Sequence, residues 1–336
     1  MSRDEQFMRL ALAEARRGEG VTRPNPPVGA VLVDAQGEVL ASGWHAKAGA
    51  VHAERDCLVK ISEGVDLSGA TLYVTLEPCC TVGRTPACVD IILERGVGRV
   101  VVGVEDPNPA HAGAGIKRLR AAGIDVLMGV CAAEAGALIE PFACWICDGR
   151  PFVTLKMAMT LDGRIADAAG DSKWISGEAS RAEVQALRRR VDAVMVGAET
   201  VRRDDPGLLP RPAKGRMPWR VVMGGDVPVA AGVLCDEAAA RTLVRAGDVD
   251  EVLRGLAAEQ DVMHVLCEGG GMLAGALLEA GLVDEFLFFV APKLLGSDGR
   301  PVFNMTGLRM DSLKALSILD VKQLDEDVMI RARVKE

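Results

Sequence analysis

Aromatic residues are scarce in this 336-residue chain: seven Phe, four Trp and a single Tyr, 4% in all. A surface that stacks nucleobases on aromatic rings is therefore not expected. Positive charge is in deficit too. Lys plus Arg number 39 against 47 Asp plus Glu, a net charge of −8. General nucleic-acid affinity comes from a basic surface, so an acidic chain argues against it while leaving room for one small basic pocket. Long apolar runs are missing as well. Nothing approaches the roughly eighteen uninterrupted apolar residues of a membrane span. The opening stretch, MSRDEQFMRLALAEARRGEG, meets charge every few positions and has no signal-peptide core, so a cytoplasmic protein with no membrane partner is expected.

What is present is ordinary globular material, 49% hydrophobic and 26% charged, which excludes a disordered chain, a collagen and a coiled coil. At roughly 150 residues per domain, the length suggests two. Nine cysteines, an odd number in a long chain without a leader, favour reduced thiols or metal ligands over a disulfide framework.

Phe7, Leu10, Ala11 and Ala15 share one helical face, which predicts a helix over 7–17 closed by Gly18 and Gly20. Apolar strands at 28–33, 39–43, 71–76, 99–104 and 124–128 then alternate with helical stretches at 52–61, 88–95 and 116–121. This is the rhythm of a layered α/β domain, assigned to 1–147. The rhythm restarts after the turn Asp148-Gly149-Arg150-Pro151. Strands at 152–157, 193–197, 220–223, 264–267 and 285–290, with helices at 184–189 and 272–280, predict a second α/β domain over 148–336. The segment 204–218 holds four prolines and reads as a loop.

The most specific chemistry lies in the first domain. His52-Ala53-Glu54 opens a helix, and Glu77-Pro78-Cys79-Cys80 follows the 71–76 strand, with Cys88 further on. One imidazole and two thiolates fill three corners of a tetrahedral zinc site, and an open fourth corner is the mark of a catalytic site. Zinc lowers the pKa of a water there to roughly 7. Glu54, two residues from His52, can face the same cavity and carry protons. The layout matches the H-x-E and P-C-x-x-C pattern of zinc deaminases. It departs in one respect: eight residues, not two, separate Cys79 from Cys88. Cys80 competes with Cys79 as a ligand, and Cys79 is favoured because it follows Pro78. A nucleic-acid base deaminase is the second reading, opposed by the charge, the few aromatics and this spacing.

In the second domain, Glu268-Gly269-Gly270-Gly271 lies between a strand and a helix, where backbone N–H groups and the helix N-terminus can receive a phosphate. It is not the G-x-G-x-x-G fingerprint, so a Rossmann assignment is not supported. Lys156, Arg188 and Arg211 are candidate partners for a phosphorylated sugar. Cys144-Trp145-Ile146-Cys147 has redox spacing but no thioredoxin-like strand before it, and reads as two partly buried thiols. His111 and His264 read as a loop residue and a strand residue.

These motifs together resemble a known family. PNPPVGAVLV (24–33), GWH (43–45), HAE (52–54), TLEPC (75–79), GRTPAC (83–88) and DPNP (106–109) are similar to the bifunctional deaminase–reductases of riboflavin biosynthesis, called RibD or RibG. LDGRIA (161–166), Ser172-Lys173-Trp174-Ile175-Ser176, AETVRRDDP (198–206), EGGGMLAGALL (268–278) and APKLLG (291–296) resemble their reductase half. The resemblance covers almost the whole chain. It implies a cytidine-deaminase-like three-layer domain followed by a dihydrofolate-reductase-like α/β domain. It implies hydrolytic deamination of 2,5-diamino-6-ribosylamino-4(3H)-pyrimidinone 5′-phosphate, then reduction of the ribosyl side chain to ribityl by NADPH.

By the same resemblance, one zinc per chain sits on His52, Cys79 and Cys88, with Glu54 as proton shuttle. Asn25, His45, Arg84, Asp106 and Asn108 match positions near the deaminase substrate. Ala158, Trp174, Thr200, Asp204, Gly225 and the turn Gly270-Gly271-Met272-Leu273-Ala274-Gly275-Ala276 match cofactor positions. Ser172, Arg188, Leu208, Arg211 and Glu268 match reductase substrate positions. Lys156 and Asp204 are the candidate catalytic groups of the reductase. A homo-oligomer is compatible with the resemblance. Two departures stand out. Cys80-Thr81-Val82 replaces a Ser-His-His-like run, removing a histidine able to contact the pyrimidine, and Gly224-Gly225 replaces the usual Asp-Ser.

Overall fold

A computed structural model describes residues 1–81, 86–213, 215–305, 309–310 and 313–335. The chain divides into two compact units, Met1–Gly149 and Arg150–Glu336. The first runs α1 (Arg3–Arg16), β1 (Gly29–Val33), β2 (Val39–Trp44), α2 (Ala53–Leu58), β3 (Thr71–Leu76), α3 (Cys88–Glu94), β4 (Arg99–Val104), α4 (Ala114–Ala121), β5 (Asp125–Met128) and α5 (Ala132–Asp148).

Its five strands lie in the order β2-β1-β3-β4-β5, with β1 antiparallel to both neighbours and β3, β4 and β5 parallel. Helices cover both faces. Ala53, Cys57, Leu58, Val89, Ile92, Ile116 and Leu119 pack on Leu32, Leu72, Val74, Val100 and Val102. Met8, Leu12 and Ala135 pack on Val31, Tyr73 and Val101 from the other side. The result is three layers, α/β/α.

The first helix begins four residues earlier than its apolar face suggests, at Arg3 rather than residue 7. Its start is a polar device: the Ser2 hydroxyl accepts from the Glu5 N–H at 3.2 Å while the Glu5 carboxylate accepts from the Ser2 N–H at 2.8 Å. The Cys-x-x-Cys stretch lies in the last turns of α5, a seventeen-residue helix that the periodicity does not announce, with Cys144 buried and Cys147 exposed.

The second unit runs β6 (Phe152–Thr160), β7 (Arg164–Ala166), α6 (Glu178–Arg190), β8 (Ala193–Gly197), α7 (Ala198–Asp204), β9 (Trp219–Met223), α8 (Gly232–Cys235), β10 (Thr242–Arg245), α9 (Val249–Gln260), β11 (His264–Cys267), α10 (Gly271–Glu279), β12 (Glu285–Ala291), β13 (Arg300–Pro301), β14 (Leu316–Leu324) and β15 (Asp327–Val334). Eight strands form one sheet, β10-β9-β8-β11-β6-β12-β15-β14. The first six are parallel, and the β14–β15 hairpin joins antiparallel.

One face of this sheet packs on α9 and α10 through Leu253, Leu256, Ala274 and Leu277. The other face packs on α6, α7 and α8 through Val184, Val201 and Val233. Inner strands covered on both faces explain the continuous apolar runs that made them legible in the sequence. His264 is a strand residue, its Nε2 2.9 Å from the Thr154 hydroxyl. The 204–218 segment carries no helix or strand after Asp204 among its described residues. Among the described residues, no helix is long and apolar enough to cross a membrane.

A fully buried guanidinium holds the root of that segment. Arg220 on β9 is 0% exposed, meets both Asp236 oxygens at 2.6 and 2.7 Å, and donates to the Val233 carbonyl at 2.8 Å and the Gly207 carbonyl at 3.4 Å. The Arg220 hydrogen bonds hold the Asp236 carboxyl below its usual range, against a smaller opposing effect of burial. Its contribution is therefore complete above pH 3.8 and is lost as pH falls through the lower folded value. Asp236→Ala strands a buried cation. Because Asp236 is 40% exposed, the expected loss is about 2 kcal/mol, at the low side for a broken buried pair. Urea unfolding at pH 7 checks it, and the difference from wild type should shrink below pH 3.8.

Candidate active sites

In the first unit three elements converge at the carboxyl end of the parallel strands. His52 is the residue before α2, in extended conformation, so its ring projects past the helix start. Cys79 lies just after β3, and Cys88 opens α3. His52 Nδ1 is 3.5 Å from Cys79 Sγ and 3.3 Å from Cys88 Sγ, and all three donor atoms lie within 4.8 Å of one another. Cys80, the alternative ligand, packs against the core beneath α2 and α3 instead.

The electrostatics of this cluster follow from crowding two sulfurs and an imidazole where water is scarce. The hydrogen bond from the Cys88 thiol draws the Cys79 pKa down to about 4, with help from His52 and the Cys88 backbone N–H at 3.3 Å. Cys88, holding the proton that Cys79 gives up, is pushed up. The hydrogen bond to Cys79 raises His52. Glu54, in the first turn of α2, is 3% exposed, and burial pushes its carboxyl up to about 7, with the Cys79 charge adding to the effect. The donor set is soft nitrogen and sulfur in a triangle, and it fits zinc.

Around it, His45 is 2% exposed and lies 5.2 Å from His52, ring centroid to centroid. Its Nδ1 is 3.0 Å from the Val51 carbonyl, which can only accept, so Nδ1 carries the proton. That leaves Nε2 to accept from the Asn25 amide at 3.0 Å. Burial lowers the His45 pKa and keeps this neutral tautomer. Asp106 and Asn108 form successive turns, Asp106 Oδ1 accepting the Asn108 N–H at 2.9 Å and Asn108 Oδ1 the Ala110 N–H at 3.0 Å. Burial raises the Asp106 carboxyl. His111 lies in the same loop. Arg84 lies outside the described residues.

In the second unit Arg188 of α6 grips Glu268, just after β11, at 2.7 and 3.0 Å. Lys156 of β6 lies close enough to feel both charges, its ammonium 5.8 Å from the Phe289 ring centroid. Burial lowers Lys156, with Glu268 opposing and Arg188 assisting. Burial works to raise Glu268, but the Arg188 charge and hydrogen bonds, with Lys156, outweigh it and leave the carboxyl below its ordinary range. Two basic side chains thus gather about one buried carboxylate.

Gly270 and Gly271 lead into α10 with Thr200 of α7 beside them: a Cβ at Gly270 would sit 3.7 Å from the Thr200 hydroxyl, and one at Gly271 2.9 Å from the Pro301 carbonyl. This bare backbone is a cradle that side chains would fill, and it fits a nucleotide cofactor. Gly225 also faces open space. Of the remaining cofactor positions, Met272 and Ala276 are exposed, Leu273 and Ala158 are partly buried, and Ala274 and Gly275 are buried. Trp174 is 66% exposed and carries Arg181 4.7 Å above its ring. The Lys293 ammonium holds the Trp174 and Ile175 carbonyls at 3.1 and 2.7 Å. Ser172 is half-buried in the same turn.

Asp204 closes α7, its carbonyl accepting from Lys173 at 3.2 Å. Leu208 is 2% exposed and belongs to the core, so only its backbone can meet a ligand. Arg211 is exposed, its N–H bonded to Gln185 at 2.7 Å.

Two residues escaped sequence reasoning. Gly43 faces α2 so closely that a Cβ would sit 2.5 Å from the Ala53 carbonyl oxygen and 2.5 Å from the Cys57 nitrogen. Glu77, 5% exposed, accepts four backbone N–H groups. Both lie in motifs quoted above, GWH (43–45) and TLEPC (75–79), but without a role: a glycine within a strand hints at such close approach, and no signal in the sequence points from Glu77 to its four amides.

Fold and site define a zinc-site unit of the deaminase class followed by an α/β unit with an anion-receptive pocket. Two family models match accordingly: the cytidine and deoxycytidylate deaminase zinc-binding region over residues 1–104 and the RibD C-terminal domain over 151–330. The chain belongs to the RibD family of riboflavin biosynthesis proteins. It is 40% identical over 353 residues to the RibD of Aquifex aeolicus, covering 97% of each chain, and 38% identical over 363 residues to that of Escherichia coli, covering 97% of this chain and 98% of the other. Acinetobacter baumannii RibD superposes with a TM-score of 0.91 at 37% identity, covering 99% of both chains. A Thermotoga maritima protein described as a diaminohydroxyphosphoribosylaminopyrimidine deaminase/5-amino-6-(5-phosphoribosylamino)uracil reductase superposes with a TM-score of 0.90 at 37% identity, also over 99% of both.

Because Gly43 sets the distance between β2 and α2, Gly43→Ala should push the His52 end of α2 outward. Zinc affinity is expected to fall roughly tenfold or more, as for other supports of metal ligands. Competition with a chromophoric chelator measures it, with far-ultraviolet circular dichroism unchanged.

Proposed function

We propose that the chain is bifunctional. Its first unit hydrolyses the ring amine of 2,5-diamino-6-ribosylamino-4(3H)-pyrimidinone 5′-phosphate. Its second reduces the ribosyl side chain to ribityl with NADPH, giving 5-amino-6-ribitylamino-uracil 5′-phosphate. The observation that carries the reading is the His52–Cys79–Cys88 triangle with Glu54 buried beside it.

His52, Cys79 and Cys88 would hold one zinc ion, which when bound supplies a Lewis acid that makes water nucleophilic near neutral pH. Glu54 takes the proton of the attacking water and passes it to the substrate, whose amine leaves as ammonia. The burial of Glu54 beside the ligand triangle places the carboxyl where it can take up a proton and return it. Asn25, His45, Asp106 and Asn108, and Arg84 by resemblance, are the groups that would orient the pyrimidine and its ribose phosphate. The fixed His45 tautomer presents a defined pattern of donor and acceptor.

NADPH, when bound, supplies a hydride. Gly225, Ala158, Trp174, Thr200, Asp204 and the 270–276 turn would hold it. The ribosylamine opens to an imine that accepts hydride at C1′. Lys156, desolvated and therefore readier to release a proton, and Asp204 are the candidate groups that would serve that form. The basic side chains of the Lys156–Arg188–Glu268 cluster, with Ser172, the Leu208 backbone and Arg211, would receive the substrate phosphate. Nine free cysteines suit a reducing cytoplasm.

Glu54→Gln is expected to keep zinc and lower ammonia release by about 10²–10⁴-fold, while reduction of the deaminated substrate, followed by loss of reduced-nicotinamide absorbance, stays at wild-type rate. A variant that deaminates like wild type would sink this assignment. Lys156→Met should do the reverse, slowing reduction roughly a hundredfold with deamination intact, and an unchanged reduction rate would remove Lys156 from the chemistry.

A further inference from the structure

Glu77 takes no part in the chemistry described above, yet its carboxylate accepts four backbone N–H groups. Oε1 accepts the N–H groups of Gly115 at 2.9 Å and Ile116 at 3.2 Å. Oε2 accepts those of Gly113 at 2.9 Å and Asp106 at 3.2 Å. All four donors come from one stretch, the loop after β4 and the first turn of α4.

That helix has Gly113 at its N-cap and no side-chain cap of its own. Glu77 supplies the cap from a neighbouring strand, and the negative charge sits where the helix dipole favours it. On the other side, the Glu77 N–H donates to the Val104 carbonyl at 3.0 Å, so residue 77 continues β3 alongside the end of β4. The two segments also meet at Gly115, where a Cβ would sit 2.1 Å from the Pro78 carbonyl oxygen. Cys79 is the next residue after Pro78. The loop bearing Asp106 and Asn108 is thus fastened to the metal-ligand loop at two points.

We infer that Glu77 is a positioning residue of the deaminase site. It sets the Asp106–Asn108 turn relative to Cys79 and thereby governs substrate recognition, without holding the metal or moving a proton. This rests on reading residues 1–149 as the deaminase unit. Charge-assisted bonds to four amides at once are stiff and directional, and a misplacement of about 1 Å in a substrate-orienting segment is costly.

The test uses the full chain with Glu77→Gln. The amide keeps the size of the carboxylate but turns one acceptor into a donor facing N–H groups, so two of the four bonds are lost. Zinc should stay at wild-type content. KM for deamination should rise roughly tenfold with kcat within about threefold, the signature of lost uniform binding. Hydrogen exchange at the amides of Asp106, Gly113, Gly115 and Ile116 should quicken, with other amides unchanged. Gly115→Ala, which pries the same contact apart from the Pro78 side, should give the same pattern and stands in if Glu77→Gln does not fold.

Unchanged KM in folded variants would overturn the inference, and so would zinc loss that accounts for the lost activity. Wild-type protein run in parallel separates the two readings. If it releases no ammonia from the pyrimidinone phosphate, the deaminase reading fails, while the exchange of the four amides still decides whether Glu77 is the clamp.

Discussion

Two sulfurs cannot both be charged beside each other in a site with little water, and the first unit is organised around that constraint. The hydrogen bond between the two thiols draws the Cys79 pKa down and pushes that of Cys88 up. A divalent cation resolves the conflict by replacing the proton, which couples metal uptake to proton release. The triangle is built by three separate pieces of backbone: the start of α2, the end of β3 and the start of α3. None of these is long. The 3.3 and 3.5 Å separations therefore depend on what braces them, above all the close approach of Gly43 under α2.

The same physics, applied with different residues, shapes the second unit. There the buried groups are hard ions. The Arg188–Glu268 pair is self-satisfying, with side chains 12% and 9% exposed, and such a pair adds little stability by itself because desolvation offsets attraction. Lys156 lies beside the pair near the carboxyl ends of the parallel strands, where α/β sheets take their ligands, and burial with the Arg188 charge lowers its pKa against the pull of Glu268. Arg220 and Asp236, by contrast, pair with each other and tie β9 to the Val233 and Gly207 carbonyls.

Legibility in the sequence follows from how local each signal is. Strands β3, β4, β8 and β11 were readable because sheets buried on both faces demand unbroken apolar runs. The start of α1 was not, because a Ser2–Glu5 capping box is made of polar residues outside the apolar face. Helix α5 was missed since AAEAGALIEPFACWICD is apolar on most sides and contains Pro141, which blurs any helical period. The β14–β15 hairpin was missed for the opposite reason: β14 is an edge strand exposed along eight of its nine residues, so burial imposes no alternation on it.

The site divides in the same way. His52, Cys79, Cys88 and Glu54 were legible because few residue types can do their work and their spacing is short. Geometry then decided between Cys79 and Cys80, which spacing alone could not. Lys156, Arg188 and Glu268 are spread over more than a hundred residues: charge alone picked out Lys156 and Arg188 with Arg211 as phosphate partners, and no spacing showed that Glu268 lies beside the first two. Leu208 was picked as a substrate position, yet its side chain lies in the core, so a motif position there marks a backbone role. Glu77 lies at the far end of this scale. Its partners are four main-chain amides about thirty to forty residues downstream, and an N–H group has no sequence signature. What the sequence cannot encode by residue type it encodes by fold: a carboxylate at the end of β3 finds the uncapped start of α4, and that meeting ties the loop after β4 to the residues just before Cys79.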